Sequence, residues 1–410
     1  MSEVGVSTPQ QIDADWLTHH FDHHAPEMGH GLYDAFAWLR ANEPVARSDT
    51  YEGGFWVAST YDDVLAVAQD WETWSSAQGM SIPHRENSTP TISEEIDPPL
   101  HREYKRLINK WFRPVVVQEE EQRSLALITA LIDEFIESGS CEFMEAFARP
   151  LPGRMFFETV LHAPSDQAME LNKLAGIVAE SVHADSSGDA LMKIIGWIAQ
   201  FLEQRGKEEP RNDVVDAVVN AEIEGRPIDQ REVFGIIMLL LFGGLDTTAG
   251  VLGSVLLRFC QDPSIPALLR EQPELIPQAV EELLRLDGSF VTIARTATRD
   301  TTLGDRAVKE GERVLISWAS ANRDAAQFER PDEFDPHRAK NPHIAFGAGP
   351  HRCAGSNLAR MNLRLAIGEL TRRLQDIRLD QPLESVEIAT GFARAPRGFR
   401  IAFTPGPRES

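Results

Sequence analysis

The stretch Phe346-Gly-Ala-Gly-Pro-His-Arg-Cys-Ala-Gly355 decides how the rest of the chain is interpreted. It places Cys353, one of three cysteines, in a glycine-rich loop directly before an apolar helical pattern. A cysteine at that point lies near free N–H groups and the positive end of the helix dipole, and both favour the thiolate. Gly349 and Gly355 permit tight turns beside a bulky group, and Phe346 is placed to wall one side. The stretch predicts a stabilised thiolate on a rigid loop without indicating what the thiolate binds.

The spacing Phe-x-x-Gly-x-(His/Arg)-x-Cys-x-Gly resembles the haem-ligand loop of the cytochrome P450 family. That resemblance implies haem b as the cofactor, with Cys353 as the ligand of its iron and His351 beside a propionate. A buried structural cysteine is the plainer alternative. A hydrolase that uses Cys353 as nucleophile with His351 is another, although two residues so close on one loop have doubtful geometry for this. A coloured preparation separates the haem readings from the hydrolase.

A long helix is predicted from the capping box Asp229–Glu232 to Asp262-Pro263, about 45–50 Å at 1.5 Å per residue. Its middle, 242–250, contains glycines, an acid and two threonines, which are poor helix-interior residues. Gly243 and Gly244 remove side chains where a flat ligand approaches, and a threonine hydroxyl bends a helix by bonding to an earlier carbonyl. A kinked core helix with no ligand is the alternative.

The same segment resembles the oxygen-binding groove motif of the family, (Ala/Gly)-Gly-x-(Asp/Glu)-Thr-Thr. The match implies that Asp246 and Thr247 are the catalytic proton-delivery pair. Peroxide-driven relatives commonly lack this acid–threonine pair, so its presence favours O₂ over peroxide. A non-catalytic haem sensor remains a further alternative, since it needs no such groove.

The sequence Asp97-Pro-Pro-Leu-His101 opens a helix and resembles the family pattern Asp-Pro-Pro-x-His-x-x-x-Arg. Lys105 stands where that pattern has arginine, so it supplies a positive charge without a bidentate fork. Arg295 lies where the family commonly places another propionate ligand. The resemblance implies that His101, Lys105, Arg295 and His351 neutralise the two haem propionates. A surface helix with mixed charge is the alternative for His101 and Lys105.

Glu282-Leu-Leu-Arg285 matches the Glu-x-x-Arg motif of the family, and Phe334–Arg338 resembles its partner segment. Alone, a Glu and an Arg three residues apart on a helix form a weak surface pair. With the other motifs in order, Glu282, Arg285 and Arg338 are expected to form a buried network that serves folding and haem retention.

Composition and charge narrow the class of protein. The chain has 410 residues and a formal net charge of −23, which disfavours binding to nucleic acid or anionic lipid. The cysteines form no disulfide framework, and the N-terminal sequence resembles no secretion signal or membrane anchor. A cytoplasmic monomer is expected. The histidines at 19, 20, 23 and 24 suggest either a solvated helix start or, less favoured, a metal site.

The expected fold is mainly α with small β-sheets, with the haem between the long helix and the cysteine loop and last helix. An N-terminal arm over 1–30 and a single catalytic domain over 31–410 are predicted. The irregular stretch 76–96 is long enough to suggest function. Substrate contacts are expected from Met80, Ile82, Leu240, Gly243, Gly244, Phe290, Val291, Thr292, Ile293 and Phe392.

The family resemblance implies a haem-thiolate monooxygenase acting on a small to medium hydrophobic or aromatic substrate. Its electrons are expected from NAD(P)H through a separate ferredoxin and ferredoxin reductase, since the chain carries no flavin or iron–sulfur motif. Basic residues on one helix and near the cysteine loop are predicted to attract an acidic ferredoxin. These residues are Lys105, Arg106, Lys110, Arg113, Arg352, Arg360 and Arg364.

Overall fold

The computed structural model describes residues 13–84, 91–180 and 184–409. Helices make up most of it, which agrees with the mainly α prediction. The α-helices in chain order are α1 Ala14–His19, α2 Met28–Asn42, α3 Tyr61–Gln69, α4 Leu100–Asn109, α5 Pro114–Glu119, α6 Glu121–Asp133, α7 Pro150–Met155, α8 Ala168–Glu180, α9 Ala184–Arg205, α10 Val214–Val219, α11 Gln230–Leu245, α12 Thr247–Gln261, α13 Ser264–Glu271, α14 Ile276–Asp287, α15 Trp318–Ala321 and α16 Ser356–Arg373.

The strands are short and sit at the edges of the helical body. They are β1 Val45–Ser48, β2 Phe55–Ala58, β3 Trp74–Ser75, β4 Ser140–Glu142, β5 Glu222–Ile223, β6 Arg226–Pro227, β7 Thr292–Ala297, β8 Thr301–Leu303, β9 Arg306–Val308, β10 Arg313–Ser317, β11 Gln375–Leu379 and β12 Arg400–Thr404. The main sheet has the order β1-β2-β10-β7-β3, and a second sheet has the order β11-β12-β4. Strand β10 runs parallel to β2 and antiparallel to β7, which fixes Arg295 opposite Val314.

The predicted long helix is present as α11 and α12, which meet at Asp246. The capping box at its start is confirmed, because Asp229 accepts from the backbone of Glu232 and Glu232 accepts from the backbone of Asp229. By length and composition Gln230–Gln261 is apolar enough to cross a membrane, yet 67% of its apolar stretch is buried inside the protein. It is therefore the central core helix, with apolar residues on most of its surface.

The N-terminal segment is more tightly packed than the sequence suggested. Trp16, Leu17, Phe21 and Met28 are buried in one core cluster with Phe36 of α2. The expectation of a loose arm is wrong for residues 13–30, because four large apolar side chains in that segment have a core to enter. The proposed boundary at residue 30 falls inside α2, and residues 1–12 lie outside the described part of the chain.

Candidate active site

The cysteine loop owes its shape to two glycines and one backbone hydrogen bond. Gly347 and Gly349 have φ of 71° and 69°, a region that favours glycine. A Cβ on Gly349 would lie 2.2 Å from the carbonyl oxygen of Ala68, so this glycine is required by close packing against the end of α3. The Cys353 N–H donates to Phe346 O at 2.8 Å and closes the loop. Gly355 has φ of −79°, so its role is not a left-handed turn.

A half-buried ion pair links Arg360, in the helix after the loop, to Glu281 of α14. The Arg360 guanidinium lies over the Phe346 ring at 4.5 Å and pairs with both carboxylate oxygens of Glu281 at 2.7 Å. His343 contacts the same carboxylate at 3.0 Å. Burial alone would raise the pKa of Glu281, but His343 and Arg360 lower it to about 2. Phe346 therefore packs beside the loop, and the Arg360 guanidinium covers one face of its ring.

The Cys353 thiol gains less from the protein than the sequence suggested. Burial among protein atoms raises its pKa, against the opposing effects of Lys105, the Gly355 N–H and Arg352. The residue nevertheless exposes part of its surface. The helix end and nearby cations therefore do not bring the pKa of this thiol below its ordinary value.

The break at Asp246 interrupts the central helix at the predicted motif. Thr247 Oγ1 donates to Gly243 O at 2.9 Å, as expected of a threonine that bends a helix. Asn172 Nδ2 donates to Leu245 O at 2.9 Å, and Ser289 Oγ donates to Thr247 O at 2.7 Å. Side chains from α8 and from the segment after α14 therefore satisfy two backbone carbonyls at the break.

The two glycines before the break behave differently. A Cβ on Gly243 would meet nothing within 4 Å, so this position leaves room for a flat ligand. A Cβ on Gly244 would lie 2.4 Å from the Phe156 ring. The expectation that both glycines clear space for a ligand is wrong for Gly244, because its missing side chain accommodates an aromatic side chain of the protein.

Asp246 has the electrostatics of a proton carrier. Burial raises the pKa of its carboxyl, and Arg149 opposes this in part. Asp246 lines a small cleft together with Arg149, Arg397 and Thr390. A half-buried carboxyl with a raised pKa beside a surface cleft exchanges protons with water more readily near neutral pH than an ordinary aspartate.

The four residues predicted to hold propionates meet in one cluster. The rings of His101 and His351 lie 4.4 Å apart, and neither ring nitrogen of His101 has a hydrogen-bond partner within the described residues, although the side chain is buried. Burial lowers the pKa of His101 to about 4, helped by the charges of His351 and Lys105. Arg295 is buried and donates to Ala294 O at 2.8 Å.

The sequence did not identify Glu94, which lies inside this cluster. Its carboxylate is 3.3 Å from Lys105 Nζ and 3.6 Å from His351 Nδ1. Burial alone would raise the pKa of Glu94, but Lys105, His351 and Arg295 hold it at about 2. No local motif marks this glutamate, because it reaches the cluster from the irregular stretch before α4.

The Glu282 network forms as expected. Arg285 donates from Nε and Nη2 to the two Glu282 oxygens at 2.8 Å, and Arg338 Nη2 lies 3.2 Å from Glu282 Oε1. Asn341 Nδ2 and the backbone N–H of Asp335 add donors at 3.1 Å. Glu282 and Arg285 are fully buried, so this is a core network and not a surface pair.

The residues predicted to line the substrate pocket lie in three different core clusters. Phe290 stacks on Phe392 with ring centroids 6.5 Å apart, and Val291 N donates to Phe392 O at 2.7 Å. Thr292 is also engaged, since its hydroxyl donates to Gly391 O at 3.0 Å. Ile82 and Val291 pack with α2, Ile293 packs with the main sheet near Met80, and Leu240 packs with α4 and α9.

Comparison with known proteins identifies the family. A family model described as cytochrome P450 matches residues 160–403, more than half of the chain. The chain belongs to the cytochrome P450 family. A putative cytochrome P450 of Bacillus subtilis is 32% identical to this P450, covering 82% of this chain and 87% of the relative. A steroid C26-monooxygenase of Mycolicibacterium smegmatis is 31% identical, covering 92% and 93%.

A solved structure supports the same identification. The Bacillus subtilis cytochrome P450 PksS of bacillaene polyketide synthase superposes on this P450 with a TM-score of 0.84 at 27% identity, covering 94% of this chain and 100% of PksS. The protein is therefore a P450 monooxygenase with the P450 fold, and its cofactor is haem b. The cysteine hydrolase alternative is excluded by this family membership.

The residues of this P450 fit a haem. Both His101 nitrogens and His351 Nδ1 are buried donors or acceptors without a hydrogen-bond partner in the described residues, as expected where a ligand supplies carboxylates. Gly243 leaves open space on the central helix, and Cys353 offers a partly exposed sulfur. These features fit the prediction that His101, Lys105, Arg295 and His351 would hold the propionates and that Cys353 would bind the iron.

Proposed function

We propose that this P450 inserts one atom of O₂ into a C–H bond or aromatic ring of a hydrophobic substrate and releases the other atom as water. The balance requires two electrons, supplied by NAD(P)H through separate redox proteins, and two protons. The observation that carries the proposal is the Asp246–Thr247 pair at the break of the central helix. When bound, the haem supplies the oxidising chemistry, and the chain supplies orientation and protons.

In this proposal Asp246 carries protons inward from the cleft beside Arg149. Its raised pKa keeps a larger protonated fraction at neutral pH than an ordinary aspartate has. Thr247 is positioned by its hydrogen bond to Gly243 O, so its hydroxyl has a fixed direction. The freed carbonyls around it are already occupied by Asn172 and Ser289, which keeps the break from closing into regular helix.

The proton-delivery roles are tested by coupling measurements on the reconstituted enzyme. Asp246→Asn is expected to lower the rate of product formation by about a hundredfold, within the usual contribution of general acid catalysis. Thr247→Val is expected to keep NADPH consumption while diverting it to hydrogen peroxide. Thr248→Val, one residue further along the same helix, is the matched control and should keep coupling. Unchanged coupling in Thr247→Val would contradict the assignment, and turnover driven by peroxide alone would favour the alternative reaction.

The basic face formed by α4 and the residues directly after it is the proposed docking surface for a ferredoxin. Arg102, Arg106, Lys110 and Arg113 are exposed and, within the described ranges, form no ion pair. They line a groove of about 600 Å³ that reaches Pro350 of the cysteine loop. In a chain of net charge −23, this patch would attract an acidic partner.

Two of the arginines predicted to attract a ferredoxin are already paired with glutamates of this chain. Arg360 pairs with Glu281, and Arg364 pairs with Glu121 at 3.0 Å. Their charges are already matched within the chain. Charge reversal at Arg106 is expected to slow first-electron reduction about tenfold at low salt without changing substrate affinity, whereas Arg364→Glu should have a smaller effect. Equal reduction rates for wild type and Arg106→Glu at low ionic strength would remove the docking proposal.

The substrate is proposed to be small to medium in size and hydrophobic or aromatic. Phe290, Phe392, Ile293 and Leu240 are apolar, and relatives include a protein named for steroid oxidation and one named for polyketide biosynthesis. A spin-state titration with aromatics, terpenes, fatty acids and steroids tests the class. We further propose a cytoplasmic monomer, supported by its acidic surface and the buried position of its apolar helix.

A further inference from the structure

The propionate cluster contains an internal carboxylate that no motif predicts. Glu94 lies 3.3 Å from Lys105 Nζ and 3.6 Å from His351 Nδ1, and its charge is also felt by Arg295. Two of the four residues assigned to the propionates, Lys105 and His351, therefore already lie within ion-pair distance of one carboxylate of the chain. Arg295 and His101 are near enough to interact with its charge, and the ring nitrogens of His101 have no hydrogen-bond partner among the described residues.

Once haem is bound, the cluster has too few permanent positive charges to match Glu94 as well as the two propionates. Lys105 and Arg295 supply two permanent positive charges, and the two histidines add more only when protonated. Haem b carries two propionates, so Glu94 would be a third carboxylate against two permanent cations. An unmatched buried carboxylate is costly, and like charges at close range repel. The cluster therefore accommodates the Glu94 carboxylate when haem is absent and the two propionates when haem is bound.

Glu94 belongs to a short segment that connects the cluster to the rest of the irregular loop. Its neighbour Glu95 accepts from Thr91 N at 2.7 Å and from Met80 N at 3.2 Å. Asp97, on the other side, accepts from Ser76 N at 2.9 Å. Glu95 thus joins Thr91 and Met80 through its carboxylate, and Asp97 anchors the chain directly after the segment 91–96. None of these hydrogen bonds involves Glu94, so its side chain can leave the cluster while they stay in place.

We propose that Glu94 stands in for a haem propionate: beside His351, its carboxylate partly offsets the positive charge of Lys105 and Arg295 before haem binds, and it leaves the cluster when the propionates enter. Glu94 is then a positioning residue that keeps the cationic cluster assembled for the cofactor and competes with the cofactor for it. This inference rests on the propionate assignment made above. It makes Glu94 a determinant of how tightly this P450 retains haem.

The test is the rate at which the holoenzyme loses haem to excess apomyoglobin, followed by absorbance. Glu94→Gln removes the competing charge at nearly constant volume. We expect haem loss to slow about tenfold, which corresponds to about 1.4 kcal/mol. Glu95→Gln is the matched control, since Glu95 is adjacent and, within the described residues, accepts hydrogen bonds only from backbone N–H groups, and it should not slow haem loss. Faster loss from Glu94→Gln, or a rate equal to wild type, would overturn the proposal.

Hydrogen exchange of residues 91–96 in the holoenzyme gives a second readout that a purely structural role would not produce. If Glu94 has left the cluster, Glu94→Gln should exchange like wild type. Glu95→Gln should exchange faster, because its amide nitrogen cannot accept and one of its two backbone hydrogen bonds is lost. Faster exchange in Glu94→Gln would show that the carboxylate is still engaged and would contradict expulsion. In that case, a wild-type enzyme that shows haem absorbance and normal turnover would still support the proposed function, and only the role of Glu94 would be rejected.

Discussion

Two buried charge clusters in this P450 use similar residues and have opposite hydrogen-bonding states. In the Glu282 cluster, both carboxylate oxygens and the guanidinium of Arg285 have protein partners, including Asn322 O and Pro331 O. In the propionate cluster, His101 is equally buried and has no partner in the part of the chain described. A cluster whose charged groups are all paired within the protein serves the fold, and one that leaves a buried imidazole unpaired beside cations is built for a ligand.

The largest expected effect comes from breaking the self-satisfied cluster. Glu282→Gln leaves the buried guanidinium of Arg285 without its counter-charge, and breaking a buried pair in this way costs about 3–5 kcal/mol. Chemical denaturation of the holoenzyme measures the free energy of unfolding. The control is Glu333→Gln, an exposed residue paired with Arg330 on the surface, which should change the free energy of unfolding by less than about 1 kcal/mol. Equal denaturation curves for the two variants would contradict a structural role for Glu282.

A smaller and different effect is expected from the ligand-binding cluster. His101→Leu removes an imidazole that has no protein partner, so the haem-free chain should keep its denaturation midpoint. Haem loss should accelerate about tenfold, because one propionate partner is gone, equivalent to about 1.4 kcal/mol. The comparison would fail if His101→Leu unfolded the haem-free chain while leaving haem retention unchanged.

The smallest effect concerns a third buried imidazole, which tests whether an unpaired histidine always marks a ligand site. His23 is 1% exposed and lies against the rings of Phe55 and Phe392, with the ring of His24 beside it. Burial lowers the pKa of His23 well below 6.5, with a smaller contribution from His24. As the pH drops through 6.5, the imidazole of His23 is therefore protonated in the unfolded chain but not in the folded chain. The free energy of unfolding falls over this range.

The free energy of unfolding should therefore depend measurably on pH. Between pH 7 and pH 6, His23 should lower the free energy of unfolding by about 0.7 kcal/mol. His23→Phe should remove that part of the slope without changing haem retention, while His20→Phe, at an exposed position of the same segment, should leave it. A haem-loss rate altered by His23→Phe would mean that His23 belongs with the ligand cluster after all.

Local patterns in the sequence predicted the elements of this P450 well. The capping box at Asp229, the break near Thr247 and the Glu282–Arg285–Arg338 network all follow from residues close together or from family motifs, and all are present. The exposed positions of Arg106, Lys110 and Arg113 fit the predicted basic surface, whereas Lys105, predicted with them, is buried and paired with Glu94.

The remaining features depend on contacts between distant segments. Gly244 is determined by Phe156 of a π-helical turn, and Gly349 by Ala68 at the end of α3. Glu94 reaches Lys105 and His351 from a stretch with no periodicity, and Arg360 is drawn from the surface by Glu281. The spacing of residues in the sequence does not predict these contacts, because they depend on how the loops pack on the helices.

The absorbance spectrum of the ferrous–carbon monoxide complex tests the central claim that Cys353 is the haem ligand. The chain has three cysteines, so Cys141→Ala and Cys260→Ala are matched controls for Cys353→Ala. The account predicts that wild type and both controls give the red-shifted Soret band typical of thiolate ligation, and that Cys353→Ala alone loses it. A red-shifted band retained in Cys353→Ala, or lost in either control, would contradict the assignment of the iron ligand.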